Sequence, residues 1–367
     1  MNAIAEAVIV EPAVPDRAVA SPAAAVRDGR DRPLRDLRLS VIDQCNFRCT
    51  YCMPREIFDE HYRFLRASER LSFDEMMKIA HAFVALGVEK IRITGGEPLL
   101  RRGLETLIER LARMTTLKGK PLDIALTTNG SLLGARARGL RDAGLSRVTV
   151  SLDALDDAVF RRMSDVDLPV ARILDGIEQA QAVGLAPVKV NTVIERGVND
   201  HQILPLVRHF KGSEIALRFI EFMDVGGAAG WSNSTVLKAR DIRAIVEKEF
   251  PLIAADHADS GATSVNYRHA DGKGTVGFIA SVSEPFCGEC SRARVSADGQ
   301  LYTCLFATQG ADLKPWLGEA VPGAQLMDAI HARWNARDDR YSELNAERRR
   351  AGTGKTWPTV RMSLVGG

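Results

Sequence analysis

Three cysteines that lie within eight residues are the strongest candidates for chemistry in this chain. They occur in Cys45-Asn46-Phe47-Arg48-Cys49-Thr50-Tyr51-Cys52, a Cys-x3-Cys-x2-Cys spacing with an aromatic residue before the last cysteine. A cubane iron–sulfur cluster has four irons, so three thiolates leave one iron without a protein ligand. An open position on a metal is a place where a ligand can bind and react. The spacing therefore predicts a reactive iron–sulfur cluster.

The element that positions these cysteines is an alternating apolar run over residues 37–42, which predicts a strand that ends just before the first cysteine. Two other interpretations are weaker. A structural zinc site needs four ligands, and His61 is too far along the loop to be a convincing fourth. Disulfides need an oxidising compartment, for which the sequence carries no signal.

A second cysteine triad lies far along the chain, in Cys287-Gly288-Glu289-Cys290 and at Cys304. A zinc ribbon would require a second pair of cysteines, and only Cys304 follows. A second three-cysteine cluster with a free iron fits this number better. Two arginines beside it, Arg292 and Arg294, could orient an anionic or heteroaromatic substrate.

Composition sets the broad class of the protein. The 367 residues are 46% apolar with a formal net charge of +2, which predicts one large or two domains and gives no reason to expect nucleic-acid binding. No run of eighteen apolar residues occurs, so no membrane span is expected. Two cysteine triads in place of a disulfide framework indicate a reducing cytoplasm. Residues 1–34 are predicted to be a disordered N-terminal extension.

From residue 37 onward, strand-like and helix-like patterns alternate. Ser72-Phe73-Asp74-Glu75 predicts a capping box at the start of a helix that continues to about Leu86 and ends at Gly87. Six strands are predicted, over residues 37–42, 90–94, 124–127, 148–151, 188–193 and 217–221. A closed parallel barrel needs eight strands. The pattern therefore predicts an α/β fold: an incomplete, six-stranded TIM-like barrel over residues 35–255, its open side covered by a smaller α+β region over residues 256–367, which holds the second triad.

Polar motifs follow three of these predicted strands. They are Thr94-Gly95-Gly96-Glu97-Pro98, Thr127-Thr128-Asn129-Gly130 and Ser151-Leu152-Asp153. In parallel barrels the loops at the C-terminal ends of the strands carry the chemistry. Two adjacent glycines allow a close backbone approach to a ligand, and hydroxyls can bond ribose or carboxylate oxygens. The last two motifs are equally suited to turns and helix caps.

Basic residues interrupt the apolar strands at Arg38, Lys90, Arg92, Lys189 and Arg218. An unpaired charge is costly to bury. Any one of them is explained by pointing outward to a helix carboxylate. Together, around an enclosed pocket, they predict a polyanionic ligand, most simply a triphosphate.

The Cys-x3-Cys-x2-Cys motif and the Thr-Gly-Gly-Glu-Pro loop resemble the radical S-adenosylmethionine (SAM) enzymes. With the second triad, residues 35–367 resemble the GTP 3′,8-cyclase (MoaA-type) family of molybdenum cofactor biosynthesis. This closer resemblance also rests on residues 36–40 (Asp-Leu-Arg-Leu-Ser), residues 218–223 (Arg-Phe-Ile-Glu-Phe-Met), residues 287–294 (Cys-Gly-Glu-Cys-Ser-Arg-Ala-Arg) and the terminal Gly366-Gly367.

The resemblance implies a role for each matched residue. Cys45, Cys49 and Cys52 would hold the [4Fe–4S] cluster that cleaves SAM, and Cys287, Cys290 and Cys304 a second [4Fe–4S] cluster whose free iron binds guanine. SAM contacts are implied for Tyr51, Gly96, Ser151 and Met223. GTP contacts are implied for Arg38, Arg92, Thr127, Lys189, Arg292, Ala293 and Arg294, with Lys90 and Arg218 nearby.

The implied reaction begins with reductive cleavage of SAM to a 5′-deoxyadenosyl radical. This radical removes hydrogen from C3′ of GTP, and the carbon radical closes onto C8. The implied partners are an electron donor such as flavodoxin or ferredoxin, a downstream cyclic pyranopterin monophosphate synthase that receives the product, and a second copy of the chain in a homodimer. Gly366 and Gly367 are expected to reach the active site and to be required for cyclisation.

Two other classes of function stay open on sequence. A peptide-modifying radical SAM enzyme with two clusters would usually carry more cysteines near its C-terminus and would leave the basic residues unexplained. A non-enzymatic iron–sulfur sensor or carrier would have no use for the Gly-Gly-Glu-Pro loop.

Overall fold

A twelve-stranded sheet organises the chain. The computed structural model describes residues 25–225, 231–255, 261–350 and 362–365. The strands are β1 (Asp36–Ser40), β2 (Lys90–Thr94), β3 (Asp123–Thr128), β4 (Arg147–Ser151), β5 (Lys189–Ile194), β6 (Ala216–Glu221), β7 (Leu252–Ala254), β8 (Val265–His269), β9 (Thr275–Ile279), β10 (Arg292–Val295), β11 (Gln300–Tyr302) and β12 (Ala311–Asp312). Their order across the sheet is β12-β11-β10-β1-β2-β3-β4-β5-β6-β9-β8-β7.

The helices lie between and after these strands. They are α1 (Phe73–Ala85), α2 (Leu104–Ala112), α3 (Leu133–Asp142), α4 (Asp157–Ser164), α5 (Ala171–Ala182), α6 (Ile203–Phe210), α7 (Ala239–Glu247), α8 (Gly323–Asn335), α9 (Tyr341–Arg350) and α10 (Met362–Val365). Over the described ranges, the helices are all too short or too polar to cross a membrane.

The first helix begins and ends where the sequence predicts. The Ser72 hydroxyl accepts from the Glu75 amide at 3.2 Å, and the Glu75 carboxylate accepts from the Ser72 amide at 2.7 Å. Gly87 follows the helix with φ of 108°, a conformation that a side chain disfavours. Both ends of α1 are therefore fixed by local chemistry.

The six predicted strands form the consecutive parallel run β1 to β6. The parallel arrangement continues beyond them, because β10 pairs in parallel with β1 and β9 pairs in parallel with β6. In the described sheet β9 and β10 are not neighbours, so the barrel stays open. The C-terminal residues thus do more than cover the open side, since they extend the sheet at both edges. The division at residue 255 stays a prediction.

Alternation along the strands separates the core from the inner face of the open barrel. Leu37 and Leu39 of β1 and Ile91 and Ile93 of β2 are fully buried in the core beneath the helices. Their neighbours along each strand point to the opposite face, because side chains alternate across a sheet. This inner face carries the polar and basic residues, and it becomes the wall of the site.

The segment before β1 is folded from residue 25 onward. The Val26 amide donates to the Leu86 carbonyl at 3.1 Å, and the Leu34 amide donates to the Val26 carbonyl at 2.8 Å. Counted as whole residues, Asp28 and Arg32 are 6% and 2% exposed to solvent. The predicted disorder therefore does not extend to residues 25–34, because a buried ion pair and an apolar contact hold this segment.

Candidate active site

All six cysteines line one cavity of the open barrel. Cys45, Cys49 and Cys52 lie on the loop that leaves β1. Cys290 lies two residues before β10, and Cys304 lies two residues beyond β11. Because β10 is the parallel neighbour of β1, strand pairing brings the two triads, distant in sequence, to the same cavity.

Backbone contacts fix the loop of the first triad. The Arg48 guanidinium donates to the carbonyls of Cys45 at 2.8 Å and Phe47 at 2.9 Å. The Thr50 amide donates to the Met163 carbonyl near the end of α4 at 3.0 Å. The loop is therefore anchored to itself and to a helix, which holds the three thiols in place without any disulfide.

The thiols of the first triad resist ionisation in the absence of a bound cation. Burial, and then the Glu97 carboxylate, raise the pKa of Cys45 to about 11. Burial, and then Cys45, raise the pKa of Cys52 to about 12, and that of Cys49 is also raised well above its usual range by burial and its two neighbours. Bound as thiolates to iron, these three cysteines would lose their protons and gain the positive charge that their surroundings lack. This donor set fits a cluster.

Over the described residues, no three His, Cys, Asp or Glu side chains converge on a point that could hold a single metal ion. The thiolates of a cubane each bind a different iron, so they are spaced around a body larger than one ion.

The second triad has a more cationic setting than the first. Burial raises the pKa of the Cys290 thiol, but the Arg292 and Arg337 guanidiniums outweigh it and bring the pKa down to about 6. Arg292 Nε donates to Cys290 Sγ at 3.4 Å. Burial raises the pKa of Cys304 to about 12. A thiolate at Cys290 is thus available as the first ligand for iron.

The Gly95-Gly96 turn after β2 packs against the loop that leads to the first triad. The Gly96 amide donates to the Ile42 carbonyl, and the Glu97 amide donates to the Gln44 carbonyl, both at 2.8 Å. A Cβ on Gly96 would lie 2.2 Å from the Gln44 carbonyl oxygen. Only glycine permits this approach, and the turn lines the cavity beside Cys45.

Glu97 ties strand ends together inside the protein. Its carboxylate accepts from the Thr128 hydroxyl at 2.8 Å, the Asn129 amide at 2.7 Å and the Leu99 amide at 2.9 Å. Burial raises its pKa to about 7, although these three bonds favour the charged form. The Glu97 carboxylate thus joins the β2 and β3 loops.

Three arginines form a row on the inner face of neighbouring strands. Strand register places Arg294 of β10 opposite Arg38 of β1, and Arg38 opposite Arg92 of β2. All three line the cavity. Burial, and then Arg294 and Arg92, lower the pKa of Arg38 well below its usual range. Like charges this close are relieved by an anion, so the row is suited to bind one.

Two further basic residues of the parallel strands are neutralised by carboxylates. Lys90 Nζ lies 3.3 Å from Asp36 Oδ1, and Arg147 pairs with Asp123. Among the described residues, Arg38, Arg92, Lys189 and Arg218 have no ion-pair partner. The alternative, in which each basic residue points outward to a helix carboxylate, is therefore wrong for these four. Lys90 does have a carboxylate partner, but that partner, Asp36, lies on a strand.

The uncharged residues whose side or main chains were predicted to contact SAM or GTP lie mostly at the cavity. Tyr51, Gly96, Thr127, Ser151 and Met223 all line the cavity. Thr127 Oγ1 accepts from Arg92 Nη1 at 3.0 Å, so its hydroxyl also orients that guanidinium.

Two of the assigned side chains are occupied or directed elsewhere. The Tyr51 hydroxyl donates to Asp153 Oδ2 at 2.7 Å. The Ala293 side chain lies in the hydrophobic core, because it alternates with Arg292 and Arg294 along β10. A substrate contact by Ala293 is therefore limited to its main chain. Gly366 and Gly367 lie outside the described residues.

Three residues of the cavity wall carry buried polar atoms without a partner in the described part of the chain, and two of them, Asn191 and Ser281, were not predicted from the sequence. Asn191 Oδ1, Arg218 Nε and Ser281 Oγ are buried atoms for which the described residues provide no hydrogen-bond partner, and all three residues line the cavity. Unsatisfied buried polar atoms indicate a surface built for a ligand. Asn191 lies on the same face of β5 as Lys189, two positions earlier, so strand alternation could have identified it. Ser281 follows β9, where no sequence pattern marks it.

Glu221 was assigned no role and joins three segments at the end of β6. Its carboxylate accepts from the amides of Ala239 at 2.7 Å, Val282 at 2.7 Å and Ser283 at 2.8 Å. It is 1% exposed. This one side chain fixes the start of α7 and the segment after β9 against the cavity.

Comparison with family models divides the chain into two matched parts. Residues 39–210 match the Radical SAM superfamily, and residues 215–343 match Molybdenum Cofactor Synthesis C. The first match spans the parallel run from β1 to α6. The second begins at β6 and contains the second triad.

Curated relatives are similar over nearly the whole chain. A protein named GTP 3′,8-cyclase from Xanthomonas axonopodis pv. citri is 51% identical over 344 residues, covering 94% of this chain and 99% of its own. Proteins of the same name from Acidothermus cellulolyticus and Staphylococcus saprophyticus are 48% and 45% identical, covering 88% and 93% of this chain and 89% and 99% of their own.

Solved structures share the fold at low sequence identity. Streptococcus suis SuiB bound to S-adenosylmethionine aligns with a TM-score of 0.54 at 16% identity, covering 80% of this chain and 68% of SuiB. Native anSMEcpe with bound AdoMet aligns with a TM-score of 0.50 at 18% identity, covering 75% of this chain and 76% of its own. These two likenesses establish the architecture.

Proposed function

Because this chain belongs to the GTP 3′,8-cyclase family of the radical SAM superfamily, we propose that it converts GTP to 3′,8-cyclo-7,8-dihydro-GTP in the first step of molybdopterin biosynthesis. The observation that carries the proposal is the shared cavity. Both cysteine triads line it, and an in-register row of three arginines forms part of its wall. A triphosphate substrate and two clusters together account for this combination.

In this proposal the first triad holds a [4Fe–4S] cluster, and Tyr51, Gly96, Ser151 and Met223 hold SAM beside it. When bound, the cluster and SAM supply a 5′-deoxyadenosyl radical. The glycine turn brings main-chain groups to the ligand, and the bond from Tyr51 to Asp153 fixes the aromatic ring at the cavity wall. The chain contributes placement, which for a reactive intermediate is the larger part of catalysis.

GTP is held, in the same proposal, between the arginine row and the second triad. Arg38, Arg92 and Arg294 bind phosphate oxygens, because planar guanidiniums present paired donors that match them. Thr127 orients Arg92. Cys287, Cys290 and Cys304 would hold a second [4Fe–4S] cluster, which would supply an open iron for the guanine, and Arg292 beside Cys290 would orient the base.

Three other basic residues, Lys90, Lys189 and Arg218, contribute positive charge for the same substrate. Lys189 and Arg218 have no ion-pair partner in the described part of the chain, and burial, followed by Arg92, lowers the pKa of Arg218 to about 10. Lys90 is partly neutralised by Asp36. These residues raise the positive potential under the arginine row and so favour a polyanion over a neutral peptide.

The direct test follows one hydrogen atom. The reconstituted full chain receives SAM, a reductant and GTP deuterated at C3′ under anaerobic conditions, and the 5′-deoxyadenosine is analysed by mass spectrometry. Deuterium in that product is the expected result. GTP deuterated at C4′ is the matched control and should give unlabelled product. Abundant 5′-deoxyadenosine without deuterium from the C3′ label would leave a radical SAM enzyme that acts on another substrate.

The two other classes of function predict different results in this assay. A peptide-modifying enzyme would leave GTP unchanged, and a sensor or carrier would form no 5′-deoxyadenosine. A flavodoxin or ferredoxin donor, transfer of the product to cyclic pyranopterin monophosphate synthase and a homodimer stay predictions from the family resemblance. A cytoplasmic location stays a prediction from the cysteine pattern.

A further inference from the structure

Four charged residues behind the second triad form a buried network. Asp28 and Arg32 come from the segment before β1, and Arg337 and Asp339 follow α8. The side chains of Asp28, Arg32 and Arg337 are 0%, 2% and 1% exposed. Two carboxylates and two guanidiniums balance in charge, which permits burial that a lone charge would not.

Asp28 is the centre of the network. Its carboxylate accepts from the Arg32 amide at 2.9 Å, Arg32 Nε at 2.7 Å and Arg337 Nη1 at 3.0 Å. It therefore holds both guanidiniums in one fixed arrangement. The Arg337 guanidinium also lies over the Trp334 ring, 4.5 Å from its centroid.

Each cysteine of the second triad, or its direct neighbour, is bonded to this network. Arg32 Nη1 donates to the Cys287 carbonyl at 2.8 Å, and Arg337 Nη1 donates to the Cys290 carbonyl at 2.7 Å. The Thr303 hydroxyl, next to Cys304, donates to Asp339 Oδ2. Arg32 Nη1 also donates to the Asp339 carbonyl at 2.8 Å, which closes the connection.

Arg32 has a further donor that forms no hydrogen bond within the described residues. Its Nη2 is buried and finds no hydrogen-bond partner among the described residues, and Arg32 lines the cavity together with Cys287 and Cys290. A buried unsatisfied donor on a guanidinium is costly unless a ligand or cluster accepts it.

From this geometry we infer that Asp28 and Arg32 are positioning residues for the second cluster, set by a segment that precedes both family-model matches. They fix the peptide groups of Cys287 and Cys290 in the arrangement that one cluster requires, and without them these two cysteines are no longer held in that arrangement. The inference rests on the second cluster of the proposed function. The first triad lies on a different loop and depends on neither residue.

The test compares three variants of the full chain after anaerobic reconstitution. Arg32→Gln removes the bridging guanidinium. Arg32→Lys keeps the charge beside Asp28 but cannot span Asp28, Cys287 and Asp339 together, and it covers the case in which the glutamine variant does not fold. Arg30→Gln is the matched control, because Arg30 pairs with Asp338 at the surface. Iron per chain, and electron paramagnetic resonance spectra with SAM or GTP added, are the measurements.

The wild-type chain and Arg30→Gln should hold about eight irons, four in each cluster. Both Arg32 variants should lose iron toward about four per chain and lose the spectral change caused by GTP. They should keep the change caused by SAM and form 5′-deoxyadenosine from SAM alone within about twofold of wild type. The inference is overturned when both Arg32 variants keep the wild-type iron content and GTP response, or when iron is lost equally from both sites.

The same measurement separates this inference from the function it rests on. A wild-type chain that holds only about four irons and shows no GTP response has no second cluster, which removes that part of the proposed function and the inference with it. A wild-type chain with about eight irons and a GTP response leaves the function standing, whatever the Arg32 variants do.

Discussion

At the scale of single residues, neighbouring basic side chains of the site lower one another's pKa values. A bound anion relieves this repulsion. Lys189 shows this most clearly. Burial, and then Arg218 and the other nearby cations, lower the pKa of its amine to about 7. At pH 8 most of the free protein therefore carries a neutral amine at this position.

A pH dependence of GTP binding follows from Lys189. The triphosphate raises the pKa of the amine, so the bound state holds more protons than the free state above pH 7. Binding at pH 8 should take up close to one proton, and affinity should fall by at most about tenfold per pH unit between pH 7 and 9. Calorimetry in buffers of different ionisation enthalpy measures the uptake.

Lys189→Met is the matched control, because it keeps the aliphatic stem and removes the titrating group. The difference in proton uptake between the two proteins cancels the titration of GTP itself. Equal uptake in wild type and variant would show that Lys189 does not respond to the substrate.

At this scale, site residues could be predicted from the sequence where a charged residue interrupts an apolar strand. Arg38 and Arg92 stood out because each interrupts an apolar strand, and the structure places both on the inner face. Ser281 and Glu221 gave no such signal, since a serine after a strand and a glutamate at a strand end are ordinary on a surface. Their roles depend on partners far away in sequence, which no local pattern reveals.

At the scale of elements, the glycine turn after β2 and the loop of the first triad form one unit. Their main chains are joined by two bonds of 2.8 Å, and the Gln44 carbonyl occupies the space of a Gly96 side chain. A substitution in the turn must therefore displace the loop that carries Cys45.

Gly96→Ala should lower the rate of 5′-deoxyadenosine formation by about 100-fold, because a shift of about 1 Å in a reacting group costs that much. Gly139→Ala is the control. It lies within α3, where a Cβ meets Glu105 Cγ at an ordinary 3.8 Å, and should stabilise the helix by about 0.5–1 kcal/mol without loss of rate. Product is quantified by chromatography and stability by thermal unfolding. A wild-type rate in Gly96→Ala would show that the turn adapts.

The elements that sequence did not anticipate as part of the parallel sheet are β9 and β10. Each has an antiparallel partner next to it in the sequence, so the local pattern predicts a separate small region. Their parallel partners, β6 and β1, lie on the other side of residue 255. The pairing of β10 with β1 decides the site, because it carries the second triad to the first.

At the scale of the whole molecule, both ends of the described chain return to the cavity. The segment from residue 25 to β1 contacts the second triad through Arg32. Near the other end, Met362 of α10 lines the cavity and packs with Tyr51 and Phe222. The terminal Gly366 and Gly367 follow directly in sequence.

Deletion of Gly366 and Gly367 should stop cyclisation while both clusters and SAM binding stay intact. The reason is proximity along the chain, because Met362 of α10 lines the cavity and packs with Tyr51 shortly before the last two residues of the sequence. Iron content, the spectral response to SAM and conversion of GTP are measured on the same preparation. Unimpaired turnover of the shortened chain would contradict the prediction.

The open barrel also has a consequence for the behaviour of the protein in a crowded solution. An unclosed sheet has two edge strands, and exposed edges recruit strands from other molecules into aggregates. Here the outermost strands are β12 with two residues and β7 with three. So few unpaired main-chain groups give a foreign strand little to bind. The described sheet therefore stays open while its two outermost strands offer little main-chain surface for edge-to-edge pairing.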